Sequence, residues 1–164
     1  MDAPAKTVEP DGSPVVLSHA EQNAKGHLET IELWYEVYTW CQGDGEEKEL
    51  SWAGRRFLVQ EMDWNHDQDR ENTAEAIGDL VREDPLSVQI REGWREVGED
   101  PEASEYMILI STGGPALRLT GALEGFEPDS AGLQHQDWGT PWTYYPAEND
   151  DALIWYASQF HWGD

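Results

Sequence analysis

The stretch from Glu105 to Pro146 constrains the fold most, because its apolar residues follow the pattern of a β-sheet. Residues 106–110 form a short apolar run, and residues 116–123 alternate between apolar and other side chains after a Gly-Gly-Pro turn. Residues 132–138 alternate again, and a return strand is expected over residues 142–145. Turns this short connect antiparallel strands, because a parallel crossover needs a dozen or more residues. The stretch therefore predicts an antiparallel meander.

Apolar residues at helical spacing predict three helices, over residues 18–41, 72–82 and 149–161. Ser18 and Asn72 are suitable N-cap residues for the first two, since their side chains accept hydrogen bonds from free backbone N–H groups. Gly26 is a candidate break within the first helix. The third helix starts at Asn149 or Asp150, and its apolar residues are available to cover one face of the sheet.

Two further segments complete the predicted fold. Residues 86–94 alternate as a strand that can pair with the meander, whereas residues 50–60 are predicted to form a bent strand or small hairpin around Ala53-Gly54. The elements together predict an α+β domain, an antiparallel β-meander of about four to five strands with two to three helices packed on one side. Residues 1–17 are predicted to be a mobile N-terminal tail, so the single domain covers residues 18–164.

The charge of the chain is the main indication of function. The net charge is −24, from 34 acidic and 10 basic side chains, whereas a small domain needs a magnitude of only about 2 to 8 for solubility. Such self-repulsion destabilises the compact state unless a basic partner or a high salt concentration offsets it. Acids occur throughout the chain except in residues 106–123, where Arg118 is the only charged residue. Direct binding to nucleic acid is not expected, because the sequence has no basic patch.

The remaining composition argues for a protein of the reducing cytoplasm. Cys41 is the only cysteine, so an internal disulfide and a thiolate metal cluster are both excluded. The sequence has no signal-peptide pattern and no apolar run of the roughly 18 residues that a membrane span requires. We therefore expect a soluble cytoplasmic protein with no membrane association.

No metal or cofactor site is predicted. Asp67, Asp69 and Glu71 beside His66 provide oxygen ligands for a hard cation, but the EF-hand pattern is lacking and a solvated acidic loop is the favoured interpretation. The five histidines lack the close spacing of zinc ligands. Residues 111–115 lack the Lys-Ser/Thr ending of a phosphate-binding loop, so a hairpin turn is favoured there.

The tryptophans of the last predicted hairpin have two interpretations. Trp138 and Trp142 can pack across the hairpin as a structural pair, which we favour, or form an aromatic recognition surface.

Three segments carry a resemblance to a known family. They are residues 84–94 (DPLSVQIREGW), 108–116 (ILISTGGPA) and 136–143 (QDWGTPWT). In these segments the chain resembles a family of small acidic, uncharacterised proteins of plasmids, integrative elements and phages, which tend to accompany antirestriction-type genes. The resemblance covers about half of the chain, from Ala74 to Trp162. It implies that an inhibitor of host nucleases is a reasonable expectation.

Charge and resemblance together predict an acidic inhibitor that acts by DNA mimicry on a host nucleic-acid-binding defence complex, either a CRISPR effector or a restriction enzyme. Carboxylates on a rigid surface would imitate the phosphates of a duplex and occupy the basic groove of the target. The candidate partner-binding residues are Glu29, Glu32, Glu36, Asp44, Glu46, Glu47, Glu49, Asp67, Asp69, Glu71, Glu75, Asp79, Glu83 and Asp84.

The sequence is also compatible with other functions. The protein is not expected to be an enzyme, because no pair of carboxylates is singled out for catalysis. An enzyme that modifies or cleaves a defence component is nevertheless one alternative. A generally acidic, halophilic structural or regulatory module is another, and a homodimer is compatible with either.

Overall fold

The structure, a computed structural model, describes residues 16–64 and 69–163. Residues 1–15, which make up most of the predicted tail, lie outside these ranges, and so does Asp67. The helices are α1 (His19–Gln42), α2 (Trp52–Gln60), α3 (Arg70–Glu83) and α4 (Asp151–Ser158), with a short 3-10 helix at Glu47–Glu49 between α1 and α2.

The first helix begins where the sequence predicts. The Ser18 side chain accepts a hydrogen bond from the Glu21 backbone N–H (3.2 Å), and the Glu21 carboxylate accepts one from the Ser18 backbone N–H (2.7 Å). This reciprocal capping box satisfies two N–H groups that the helix itself leaves free. Gly26 does not divide α1, which continues for 24 residues.

The prediction of a bent strand or hairpin over residues 50–60 is wrong. Residues 52–60 form α2, and the hydroxyl of Ser51 caps it by accepting a hydrogen bond from the Gly54 N–H at 2.9 Å. Phe57 and Leu58 are buried in the core. These two residues place an apolar side of α2 against the core, and this packing stabilises the helical conformation. It does so although Gly54 has a low helix propensity.

The expected N-cap of α3 is also wrong. The helix starts at Arg70, two residues before Asn72, because the side chain of Asp69 accepts a hydrogen bond from the Glu71 N–H at 3.0 Å. Its end at Glu83, directly before Asp84-Pro85, agrees with the prediction.

The strands form one antiparallel sheet of α+β type, with the expected meander. They are β1 (Ser87–Glu92), β2 (Ala103–Ser111), β3 (Ala116–Glu124), β4 (Glu127–Pro128), β5 (Gly132–Gln136) and β6 (Thr143–Tyr145). The order across the sheet is β1-β2-β3-β5-β6, and the short β4 pairs with the end of β3. Residues 112–115 form the predicted turn between β2 and β3, with Gly113 and Gly114 at positive φ. The predicted strand over residues 86–94 is β1, which pairs with β2.

The register of the strands separates two faces of the sheet. One row crosses five of the six strands, all except β4, through Val88, Ile108, Leu119, Leu133 and Tyr145. Ile108, Leu119 and Leu133 in this row are fully buried. They belong to the hydrophobic core together with the apolar sides of α1 and α4, and α1 lies against β3, β5 and β6.

The second face of the sheet has a different character. The adjacent row consists of Ser87, Leu109, Arg118, Gln134 and Tyr144. Part of this face lines a groove with a volume of about 850 Å³. The helices therefore cover one face of the sheet, and the groove lies on the other.

Helix α4 is held at the end of α3 by a partly buried hydrogen bond. The Tyr156 hydroxyl donates to the Asp84 carboxylate at 2.6 Å, and the Tyr156 ring is fully buried. Burial and this hydrogen bond raise the pKa of Tyr156 well above its ordinary value. The bond connects two segments that are 72 residues apart in the chain.

Candidate acidic binding surface

Helix α3 carries a regular row of carboxylates, which we call the α3 carboxylate row. It consists of Glu71, Glu75, Asp79 and Glu83, and all four are exposed. Residues four apart lie next to each other on one side of a helix. The opposite side of α3, which includes Ala74, Ile77 and Val81, is buried and packs on α1. Packing of the apolar side therefore fixes the direction in which the row points.

The loop that follows α1 extends the acidic surface at the start of α3. Arg70 donates hydrogen bonds to the carbonyl oxygens of Gly43 (2.7 Å) and Gly45 (2.5 Å), and its guanidinium lies 3.9 Å from the centre of the Trp40 ring. These contacts hold the loop to the first turn of α3. The loop carries Asp44, Glu46 and Glu49, which are exposed.

Two acids of this loop make local contacts. Glu46 forms an ion pair with Lys48 at 2.6 Å, and the Glu49 carboxylate accepts a hydrogen bond from the Glu46 N–H at 3.1 Å. Exposed pairs of this kind contribute little to stability. Glu47 lies in the 3-10 helix, and its side chain is outside the described part of the structure.

A second acidic cluster, which we call the α1 cluster, lies around the first half of α1. Burial first, and then the charges of Glu148 and Glu29, raise the pKa of Glu32. Burial, followed by Glu29, Glu21 and Glu32, likewise raises the pKa of Tyr145. The α1 cluster therefore contains Glu21, Glu29, Glu32 and Glu148. Glu29 also lies 3.9 Å from Lys25, and both are well exposed.

Sequence reasoning missed two members of the α1 cluster. Glu21 follows Ser18 by three residues, and this capping-box spacing is a signal that places it in the first turn of α1. Glu148 has no local signal, because its position near Glu32 depends on how the connection between β6 and α4 passes α1.

Three of the predicted partner-binding residues cap a helix or connect two elements of the fold. Glu36 accepts two hydrogen bonds from Ser51, one from the backbone N–H (2.6 Å) and one from the hydroxyl (2.8 Å). Asp69 caps α3 and Asp84 accepts the Tyr156 hydroxyl bond. Within the α3 carboxylate row, Asp79 forms an ion pair with Arg82. These contacts leave Glu71, Glu75 and Glu83 as the exposed members of the row without a hydrogen bond or ion pair from another described side chain.

The predicted oxygen cluster at residues 67–71 does not gain support as a metal site. Asp67 lies outside the described ranges, and Asp69 is engaged at the N-terminus of α3. Within residues 16–64 and 69–163, no group of three or more His, Cys, Asp or Glu side chains is arranged to hold a metal ion.

The groove on the other face of the sheet contrasts with the acidic helices. Arg118 donates a hydrogen bond to the Gln134 side chain at 2.7 Å, and its guanidinium lies 4.1 Å from the centre of the Trp142 ring. Desolvation lowers the pKa of Arg118, although the group stays cationic. No carboxylate of the described residues lies within 4.0 Å of it. Negative charge is therefore concentrated away from the centre of this face.

The two tryptophans of the last hairpin contact different groups. Trp142 is half-buried against Arg118, which gives it a structural role. Trp138 is largely exposed, and its indole lies over Gly114, where a Cβ atom would clash with the ring. The expected packing of Trp138 on Trp142 is therefore not found among the ring contacts of the described residues. Trp142 packs on Arg118 instead, while the exposed ring of Trp138 leaves a recognition role open.

Comparison with family models, with curated proteins and with solved structures finds no match. The resemblance to small acidic proteins of mobile elements therefore stays a prediction. Its three segments lie in the sheet, around β1, the β2–β3 turn and the β5–β6 turn. Among the described residues, no helix combines the length and the apolar character needed to cross a membrane.

Proposed function

We propose that this protein is an acidic inhibitor that mimics DNA and occupies the basic nucleic-acid groove of a host defence complex, a CRISPR effector or a restriction enzyme. It would act in the cytoplasm of a bacterial host that carries a mobile genetic element. The observation that carries the proposal is the α3 carboxylate row, which continues into the acidic loop at residues 43–49.

The spacing of the row supports the proposal. Four carboxylates from residue 71 to residue 83 extend over about 18 Å of helix axis, at 1.5 Å per residue. One strand of a DNA duplex carries about five phosphates over the same length, at 3.4 Å per phosphate. A partner that binds a phosphate backbone would therefore meet a similar density of negative charge along α3.

The rest of the surface supports rapid association with a cationic partner. The net charge of −24 attracts a basic groove over a distance set by the ionic strength, and this raises the association rate. The α1 cluster adds further carboxylates, and repulsion within it would be relieved when a cation of the partner approaches Glu32. The sheet then serves as the scaffold that fixes the helices.

The first test removes charge from the row without changing side-chain shape. The triple variant Glu71→Gln, Glu75→Gln, Glu83→Gln removes three negative charges at exposed positions. Its control, Glu124→Gln, Glu127→Gln, Asp129→Asn, removes the same charge at exposed positions around β4. Comparing the two separates the position of the charge from its total amount.

The assay is DNA cleavage by a panel of purified restriction endonucleases and guide-loaded CRISPR effectors, titrated with each variant. Losing three contacts at about 0.5–1 kcal/mol each should weaken inhibition of the sensitive enzyme roughly tenfold to a hundredfold for the row variant. The control should stay within about threefold of the parent protein, because only long-range attraction is reduced. Duplex DNA should compete with the parent protein for the enzyme.

Two results would contradict the proposal. One is equal inhibition by the row variant and the parent protein. The other is complete inhibition at a dose far below one inhibitor per enzyme, since a mimic acts stoichiometrically and an enzyme that modifies its target does not.

A further inference from the structure

The outer strand β1 exposes apolar side chains along an edge of the sheet at which no other strand of the described residues pairs. Leu86 and Ile90 are more than half exposed, Val88 is partly exposed, and Trp94 and Val97, shortly after the strand, are fully exposed. We call these five residues the apolar edge. A free strand with exposed apolar side chains is a site for pairing with another strand, which proteins usually prevent with charges or a covering element.

The register shows why the edge is apolar. Val88 lies opposite Ile108 and Ile90 lies opposite Tyr106, both of which are buried. Val88 and Ile90 therefore belong to the face that the helices cover, but they lie at its margin, with 39% and 55% of their surface exposed. The hydrophobic layer of the protein thus continues to the edge of the sheet and remains open there.

Charges also balance in the segment that contains the apolar edge, in contrast to the acidic helices. Residues 86–97 contain two arginines and two glutamates. Arg91 forms an ion pair with Glu105, and Arg95 lies 3.9 Å from Glu92. The two arginines therefore make repulsion between two copies of this chain, with its net charge of −24, weaker at this segment than at the acidic helices.

We infer that β1 pairs antiparallel with β1 of a second copy of this chain, around a two-fold axis near Gln89. In this register Val88 lies opposite Ile90 of the partner subunit on one side of the axis, and Ile90 lies opposite Val88 of the partner subunit on the other side. The occupant of the edge must itself present a neutral strand with apolar side chains at alternate positions. A second copy meets each of these requirements with the same residues, as two-fold symmetry demands.

The pairing has a defined consequence for the acidic surface. A two-fold axis perpendicular to the sheet joins the two sheets into one and keeps both helical layers on the same side. The dimer would thus present two α3 carboxylate rows in a fixed relation. The inference rests on the edge alone and holds whether or not the protein mimics DNA.

Salt concentration separates this association from binding to a basic partner. The two copies repel each other at long range, and the Debye length falls from about 10 Å at 0.1 M salt to about 3 Å at 1 M. The Kd of the dimer should therefore fall at least tenfold over this range. Affinity for a basic groove should change in the opposite direction.

The experiment is sedimentation velocity over a range of protein and salt concentrations. The parent protein should form dimers that become more stable with salt. Ile90→Lys should give monomers at every concentration, because lysine on an edge strand opposes pairing, and its exposed position leaves the core intact. Val59→Lys on α2 is the matched control, since Val59 is 48% exposed and lies away from β1, and this variant should dimerise like the parent.

Circular dichroism of Ile90→Lys should match that of the parent protein, and Trp94→Ala, at a side chain that makes no core contact, should also weaken the dimer. A parent protein that remains monomeric at high salt and high concentration would overturn the inference, as would dimers that persist in Ile90→Lys. Inhibition of a target enzyme, measured separately with the same variants, reports on the proposed function, so the two ideas can fail independently.

Discussion

Replacing Glu36 by alanine tests whether this acid serves the fold or a partner. Both of its carboxylate oxygens are within hydrogen-bond distance of Ser51, at 2.6 Å and 2.8 Å. Ser51 in turn caps α2 through Gly54. The carboxylate lies so close to Gly54 that a Cβ atom there would be 3.1 Å from it. Glu36 therefore joins the middle of α1 to the start of α2.

The expected loss follows from these contacts. A hydrogen bond to a charged group contributes about 1.5–3 kcal/mol when it is shielded from water. Glu36 is only half-buried, so the lower part of the range applies, and we expect Glu36→Ala to lower the free energy of unfolding by about 2–3 kcal/mol. For a domain of this size, that corresponds to a decrease in Tm of about 4–12 °C.

The effect is measured by urea unfolding, which is monitored through tryptophan fluorescence. An unchanged m-value would indicate that the variant exposes the same surface area on unfolding as the parent protein. Glu75→Ala is the control, because Glu75 is an exposed helical glutamate on α3 without a hydrogen bond or ion pair from another described side chain. In a double-mutant cycle, Glu36→Ala and Ser51→Ala should be coupled by about 1 kcal/mol or more. If Glu36→Ala is as stable as the parent protein while inhibition is lost, the acid acts on a partner and our assignment is refuted.

Three other changes test the packing and the charge cluster. Tyr156→Phe should lower the free energy of unfolding in urea by about 1–2 kcal/mol, because the half-buried Asp84 carboxylate loses its hydrogen-bond donor; an unchanged midpoint would show that the bond contributes nothing. Gly26→Ala should raise stability by about 0.5–1 kcal/mol, since a Cβ atom there meets nothing within 4 Å, and a loss would indicate a strained helix. The pKa of Glu32 is raised in the folded protein, so the folded state binds this proton more tightly than the unfolded state. The resulting contribution of protonated Glu32 to the free energy of unfolding is fully present below its ordinary pKa of 4.5 and is lost as the pH rises through the raised pKa. Glu32→Gln should therefore have a higher Tm than the parent protein at neutral pH and an equal Tm below pH 4.5; an equal Tm at both pH values would contradict this.

The sheet could be predicted because its signals are local. Alternation along β2 and β3 and the glycines between them determine the hairpin, and Ser18 with Glu21 determines the start of α1. Helix α2 could not be predicted in this way, because its N-terminus depends on Glu36, 15 residues earlier in the chain. The local sequence around Gly54 favours a turn, and packing against α1 overrides it.

The acidic surface was predictable in composition and only partly in geometry. Spacing of four residues places Glu71 and Glu75 side by side on any helix, so the α3 carboxylate row follows from the sequence once the helix is assigned. The internal roles of Glu36 and Asp84 could not be foreseen, since their partners are distant in the chain. Alternation in β1 indicated a strand, but only the sheet order shows that its apolar side chains lie at an edge.

The length of α1 has a consequence for how this protein can vary. This helix contacts α2, α3, α4 and three strands of the sheet, so every layer takes its position from it. One residue inserted near its middle would turn all that follows by about 100° and advance it by about 1.5 Å. Insertions and deletions should therefore be confined to the turns, and related chains should keep the number of residues between Ser18 and Gly43 constant.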